Sequence, residues 1–168
     1  IMLSRTYQQS SSGDAQLLEQ DPDNELIGRA NRHRLDFESF RDSLLAASGM
    51  RDTRVGGVST KDIFSPRRSV YLLIQRLQLS STYSTFDFPN PDLSTPQRVT
   101  TISPQQALFV MNHPLLLNCS EQAVLSARAE LEGDGDREMI RSLYRIIFSR
   151  DPDEDEILSA KQFVDSTE

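Results

Sequence analysis

The sequence holds no tryptophan, one cysteine and two histidines in 168 residues, and each scarcity excludes something. A single Cys119 cannot form an internal disulfide. His33 and His113 have no metal-ligand spacing with each other or with Cys119, so no metal site and no cofactor are expected. No apolar run reaches the roughly 18–20 residues that span a bilayer. The opening IMLSRTYQQSS lacks the apolar core of a signal peptide. Basic residues are also short: 18 Lys and Arg stand against 25 Asp and Glu, a net charge of −7. That balance argues against nonspecific nucleic-acid binding, which needs a dense cationic surface. Neither Gly-x-Ser-x-Gly nor a phosphate-binding Gly-x-x-x-x-Gly-Lys-Ser/Thr occurs, so the common nucleophile and nucleotide signatures are missing.

What remains is a set of helix signals around an irregular middle. Residues 1–9 read as the last turns of a helix, and the Ile-Met start reads as a piece of something longer. Ser10–Asp23 reads as loop, with Leu17-Leu18 as a local pin. Glu25–Arg34 reads as a short helix or an extension of the next one. Leu35–Ser48 places Phe37, Phe40, Leu44 and Ala47 on one stripe at helical period, flanked by Leu35 and Leu45, and Gly49 sits where a left-handed terminator belongs. Met50–Pro66, with Gly56-Gly57, reads as a long loop. Ser69–Leu79 is readable as a buried helical turn or as a strand, with the extended reading favoured near Ser69–Ile74. A brief helix fits Ser81–Phe86, and Phe88-Pro89-Asn90-Pro91-Asp92 must turn.

The clearest start signal is Ser103, with Pro104 at the first helical position and Gln106 closing a capping box. Ala107–Met111 then reads as an apolar helix at the centre of the core. His113 and Pro114 open a helix to about Leu131, with Leu117, Val124, Leu125 and Leu131 inward. Gly133-Asp134-Gly135 reads as a break. Asp136 to Phe148 follows, with Met139, Ile140, Leu143, Ile146 and Ile147 as core. Asp153 with Glu156 starts a last helix lined by Ile157, Leu158, Ala160, Phe163 and Val164. Cys119, beside Leu115-Leu116-Leu117, reads as a small buried hydrophobe. The sum is a mainly α, single domain of about five or six helices with a long irregular middle segment and room for one short strand.

Two groups of residues carry candidate chemistry. Arg32, His33, Arg34, Asp36, Glu38, Arg41 and Asp42 form a dense ionisable run. Glu38, Arg41 and Asp42 share a helix face, where they suit either acid–base work or surface ion pairing. Arg67, Arg68, Arg76 and Arg98, with Tyr71 and Asp87, lie in the middle segment. Arginine forks there suit an anionic ligand, or equally pairing with Asp87 and Asp92 and with loop carbonyls. The charge is unevenly spread: residues 29–76 hold ten basic and five acidic residues, residues 132–168 five basic and eleven acidic.

The order of motifs is more specific than any one of them. RLDFESFRDSLLAASG, Gly-Gly-x-Ser, RRSVYLLIQR, TFDFPNPD, R-x-T-T-x-S-P-Q-Q-A-L-F-V-M-N and FSRDPDEDEI, entered by TYQQSS and DPDNEL, together resemble the C-terminal domain of unknown function of large planctomycete proteins that carry cytochrome c-like domains upstream. The resemblance spans nearly the whole chain and implies no catalytic activity to carry over. It implies an extracytoplasmic location, periplasmic or secreted, and partners among the upstream domains of the same polypeptide. Cys-x-x-Cys-His is absent, so this domain is not expected to hold covalent haem itself. Three readings of function follow. The first is a non-catalytic accessory domain that packs on its own polypeptide or binds an extracellular polysaccharide. The second is an enzyme, or part of one, built on the arginine-rich middle with Glu38, Arg41 and Asp42. The third is a docking domain that offers its acidic C-terminal face to a cytochrome c-like partner.

Overall fold

The computed structural model describes residues 1–13, 15–131 and 135–166. The predicted break at Gly133-Asp134 lies outside the described residues. Seven α-helices are seen among them: α1 (Ala15–Gln20), α2 (Phe37–Ala47), α3 (Ser81–Thr85), α4 (Pro104–Asn112), α5 (Pro114–Glu130), α6 (Asp136–Phe148) and α7 (Glu154–Asp165). The fold is mainly helical. Among the described residues the only β features are two isolated bridges, Asp52 with Arg67 and Thr60 with Leu72. The chain divides into two compact units, residues 1–35 and 36–168.

In the first unit the expected helix over residues 1–9 is a series of turns, with one four-residue backbone bond from Gln8 N–H to Ser4. α1 lies inside the stretch expected to be loop. Gly28 approaches Leu17 of that helix so closely that an added Cβ would sit 3.1 Å from its Cδ1. The helix expected over Glu25–Arg34 does not form. Buried Asp21 takes the N–H groups of Glu25 and Leu26 at 2.8 and 2.9 Å. The Asn24 amide bonds the Arg29 carbonyl and the Asn31 side chain, both at 2.8 Å. These local bonds draw the backbone out of the helical ladder, and Asn24 and Ile27 adopt positive φ.

In the second unit α2 is the post on which the middle segment hangs. Asp36 caps it by accepting the Ser39 N–H at 2.9 Å, and Gly49 ends it at φ +71, the conformation for which glycine is suited. Its fully buried positions are Phe37, Arg41 and Leu45, one side chain per helical turn. Of the predicted stripe Phe37 is fully buried and Phe40, Leu44 and Ala47 are half-buried, because Arg41 and the flanking Leu45 take the centre of the inner face. Phe37 anchors an aromatic cluster. Its ring meets Tyr83 edge-on at 5.4 Å, Phe86 at 5.1 Å and Phe109 edge-on at 6.1 Å. Leu45 packs with Leu115 and Cys119 in a second cluster, reached from the side by Ile63.

The extended reading of Ser69–Ile74 is corrected: Ser69–Tyr71 is a single 3₁₀ turn, followed by the bridge at Leu72. α4 starts as predicted, with both arms of its capping box formed. It is not the central apolar helix expected. Only Gln106 is fully buried, and Leu108 and Met111 stand 58% and 71% exposed. α5 turns Leu115, Leu116, Cys119, Ala123 and Ala127 inward, while Leu117 and Leu125 face out. The small residues let α2 and α6 approach this helix, so the largest side chains were the wrong guide to its inner face. In α6 Ile140 is buried and Ile147 exposed; in α7 Ile157 is buried, and Leu158, Phe163 and Val164 are exposed.

Candidate functional site

Arg41 has no exposed surface. A buried cation is costly unless its N–H groups find acceptors, and a loop folded around this one supplies four. Its Nε donates to the Ile63 carbonyl at 3.0 Å, one Nη to the Arg67 carbonyl at 2.9 Å and the Ser69 hydroxyl at 3.2 Å, and the other Nη to the Ser65 carbonyl. Burial pushes its pKa down, and the Asp42 carboxylate opposes that shift. Asp42 continues the attachment. It accepts the Ser69 N–H at 2.6 Å and the Arg68 Nε–H at 3.4 Å. Two adjacent residues of α2 therefore hold residues 63–69. The Ser69 N–H goes to Asp42 rather than to a neighbouring strand, and the Tyr71 and Leu72 N–H groups bond back to Arg68 and Ser69, so the expected strand opens as a 3₁₀ turn.

Arg67 is held by its own surroundings. One Nη donates to the Val58 carbonyl at 3.2 Å, the other to the Gly56 carbonyl, and the guanidinium lies 4.0 Å over the Tyr71 ring. The Tyr71 hydroxyl accepts the Gly56 N–H at 2.8 Å. Gly56 and Gly57 both have positive φ, and a Cβ on Gly57 would sit 3.3 Å from the Arg67 guanidinium. The Gly-Gly pair is thus a shaped wrap around an arginine–tyrosine stack.

Arg98 grips Glu38 with two parallel bonds of 3.0 and 2.7 Å, lies 3.5 Å from Asp36 and covers the Phe88 ring at 5.1 Å. Asp36 is held below the usual carboxylate range, first by its hydrogen bonding with Ser39 and more weakly by Arg98. Asp87, at φ +58, accepts the Thr101 N–H at 2.8 Å, the Thr101 hydroxyl and, at 3.4 Å, the Gln106 amide. Arg98 thus pairs with the acids of α2 rather than with Asp87 or Asp92. Arg76 lies on an exposed turn apart from these contacts.

Of the nine candidates, a cleft of about 380 Å³ brings three together: Glu38, Asp42 and Arg68 line it with Ser39, Ser69, Val70, Leu72, Ile74, Tyr83 and Phe88. Tyr83 and Phe88 escaped the sequence reading. Tyr83 is 6% exposed, and its hydroxyl is buried without a hydrogen-bond partner. Burial pushes its pKa up, Glu38 adds to that shift, and Arg41 opposes it. The only sequence signal was a lone tyrosine in a Ser-Ser-Thr-Tyr-Ser-Thr run. Elsewhere His113, which the sequence placed at a helix end, stacks between Phe64 and Phe109 at 5.6 and 4.1 Å, and its Nδ1 accepts the Leu115 N–H at 3.2 Å.

Among the described residues no group of three or more His, Cys, Asp or Glu side chains is placed to hold a metal ion. None of the described helices is long and apolar enough to cross a membrane. A family model described as "PSD1: Protein of unknown function (DUF1553)" matches residues 1–164. No curated protein and no solved structure matches the chain.

Proposed function

Since the chain belongs to the PSD1 family of proteins of unknown function, we propose that it is a non-catalytic accessory and interaction domain. One observation carries this reading. The residues best suited to acid–base or anion chemistry hold backbone in place: Arg41 occupies the carbonyls of residues 63, 65 and 67, and Asp42 takes the Ser69 N–H. A catalytic group must be free to exchange a proton or meet a substrate, and these two are engaged in holding the chain. The reading extends to an exported, planctomycete-type multidomain protein in which this domain packs on others of its polypeptide, a cytochrome c-like domain among them. The support for that extension is the ordered resemblance of motifs. The test is turnover. The purified chain is incubated with esterase, glycosidase, phosphatase and redox substrates, in parallel with Glu38→Gln and Asp42→Asn. No turnover above buffer is expected, whereas turnover by the wild type that either variant loses would overturn the proposal.

A second reading has its own observation. The start of α7 gathers Glu154, Asp155 and Glu156 in one turn. Arg150 pairs with Glu156 and Arg137 with Glu154, and among the described residues no cation pairs with Asp155. That face suits electrostatic docking of a cationic cytochrome c-like domain. Binding that weakens steeply between low and physiological salt is the expected sign; salt-independent binding, or none, would remove it.

A further inference from the structure

From the cleft between α2 and the Arg68–Ile74 segment we infer a binding site for a neutral, hydroxyl-rich ligand, such as one or two sugar units of an oligosaccharide. The inference rests on the non-catalytic reading above and gives that domain something to bind. The cleft volume, about 380 Å³, falls within the range of small-molecule sites. Glu38 and Asp42 stand one helical turn apart on α2 and share its face. Each carboxylate is already oriented by an arginine from another segment, Glu38 by Arg98 and Asp42 by Arg68. A carboxylate offers about four lone-pair sites, so both keep acceptor capacity after these bonds. Arg68 contributes only its Nε to Asp42, and its side chain is 59% exposed. Its terminal nitrogens remain as planar donors.

Charge balance selects the ligand class. Glu38 and Asp42 line the cleft with Arg68, and Glu38 is already paired with Arg98 and Asp42 with Arg68, so an anion would meet two acids and a cation would find both carboxylates already paired. A hydroxyl both donates and accepts, so it pairs with carboxylate and guanidinium alike. Leu72, Ile74 and Phe88 supply an apolar side for the carbon face of such a ring. A second, independent observation points to the same place. Tyr83 is a residue of the cleft wall, and its hydroxyl is buried behind that wall with no partner among the described residues; a buried unsatisfied hydroxyl is costly unless the wall shifts to let a ligand bond it.

The test is a titration of the whole isotope-labelled chain with neutral hexasaccharides (cellohexaose, laminarihexaose and xylohexaose) and with an anionic oligogalacturonate, followed through backbone amide shifts. Saturable shifts at Ser39, Asp42, Arg68 and Val70 are expected with at least one neutral probe. Val70 is 72% exposed, so Val70→Trp should block the cleft and abolish those shifts with an unchanged thermal midpoint. Tyr83→Phe should weaken binding by about tenfold, the worth of one hydrogen bond. No saturable shift at millimolar probe, shifts confined to other surfaces, binding unaffected by Val70→Trp, or tighter binding of the anionic probe would each overturn the inference. Reducing ends released during the titration would overturn the non-catalytic reading and leave the site standing; absence of binding would remove the site and leave that reading standing.

Discussion

Arg98 and Glu38, 60 residues apart in sequence, meet through two bonds of 3.0 and 2.7 Å and so tie the segment after the double-proline turn to the first turn of α2. The geometry is the strong bidentate one, but the Arg98 side chain is 38% exposed, so water and salt screen the pair. A double-mutant cycle with Arg98→Ala and Glu38→Ala should give a coupling of about 0.5–1 kcal/mol. Urea midpoints at low and high salt check this. A coupling well above that range, or one indifferent to salt, would mean that the pair is effectively buried.

The glycine pair distinguishes two causes of cost. Gly56 and Gly57 both have positive φ, yet a Cβ on Gly56 meets open space, and one on Gly57 meets the Arg67 guanidinium at 3.3 Å. Backbone strain alone should make Gly56→Ala cost about 1 kcal/mol. Gly57→Ala should cost more, because it also pushes Arg67 off Tyr71. Thermal midpoints of the two variants decide, and equal losses would refute the wrap.

Gln106 joins two elements: its amide donates to the Thr85 carbonyl at 2.9 Å and its carbonyl oxygen accepts the Ser103 N–H at 3.2 Å. Gln106 itself is 2% exposed, and its removal leaves a small void and takes a bond from each of two half-buried partners. Gln106→Ala should cost about 2–3 kcal/mol, and Gln106→Glu more at neutral pH, because its charge would be buried beside Asp87. Denaturant unfolding across pH checks this, and a Glu variant as stable as wild type at pH 7 would contradict it.

His113 predicts an acid sensitivity. Burial between two rings lowers its pKa below the ordinary 6.5, and its Nδ1 can accept the Leu115 N–H only when unprotonated. The unfolded chain therefore binds a proton at a higher pH than the folded one does. The stability from neutral His113 is complete above about pH 6.5 and is lost as pH falls from there toward the lowered folded value. His113→Asn keeps a helix-capping oxygen and should flatten the stability curve across that window. An unchanged slope would place the titration elsewhere.

The sequence made helix starts legible because a cap is local chemistry. Ser103 with Gln106, Asp153 with Glu156, and His113 before Pro114 all stand where their residue types require. The inner faces of helices were less legible, because packing is not local. On α5 Cys119 is buried as its apolar neighbours suggested, but beyond it Ala123 and Ala127 point inward and Leu125 outward, and of Leu115, Leu116 and Leu117 the first two are buried and the third exposed, a choice set by how closely the neighbouring helices approach. On α4 an apolar run lies at the edge of the core, with Phe109 and Gln106 as its inward members. The candidate site was half legible. The arginines of the middle segment read from sequence as ligand-binding or as partners of Asp87, Asp92 and loop carbonyls; Arg67 does hold loop carbonyls, but Arg98 and Arg68 pair with Glu38 and Asp42 of α2 instead. Arg41 was the hard case, since a charged residue inside an ionisable run reads as surface until the carbonyls that surround it are seen.

Arg41 is the side chain on which the middle segment depends most. If this cation holds the loop in place, Arg41→Lys, which keeps the charge but cannot fork among the carbonyls of Ile63, Ser65 and Arg67, should destabilise the fold by about 3–5 kcal/mol. The most direct measurement is amide hydrogen exchange on that variant under conditions where it stays folded. The Ser69 and Leu72 amides are expected to lose protection while those of α6 retain theirs. Unchanged protection over residues 63–72 would contradict this role and return Arg41 to the pool of functional candidates.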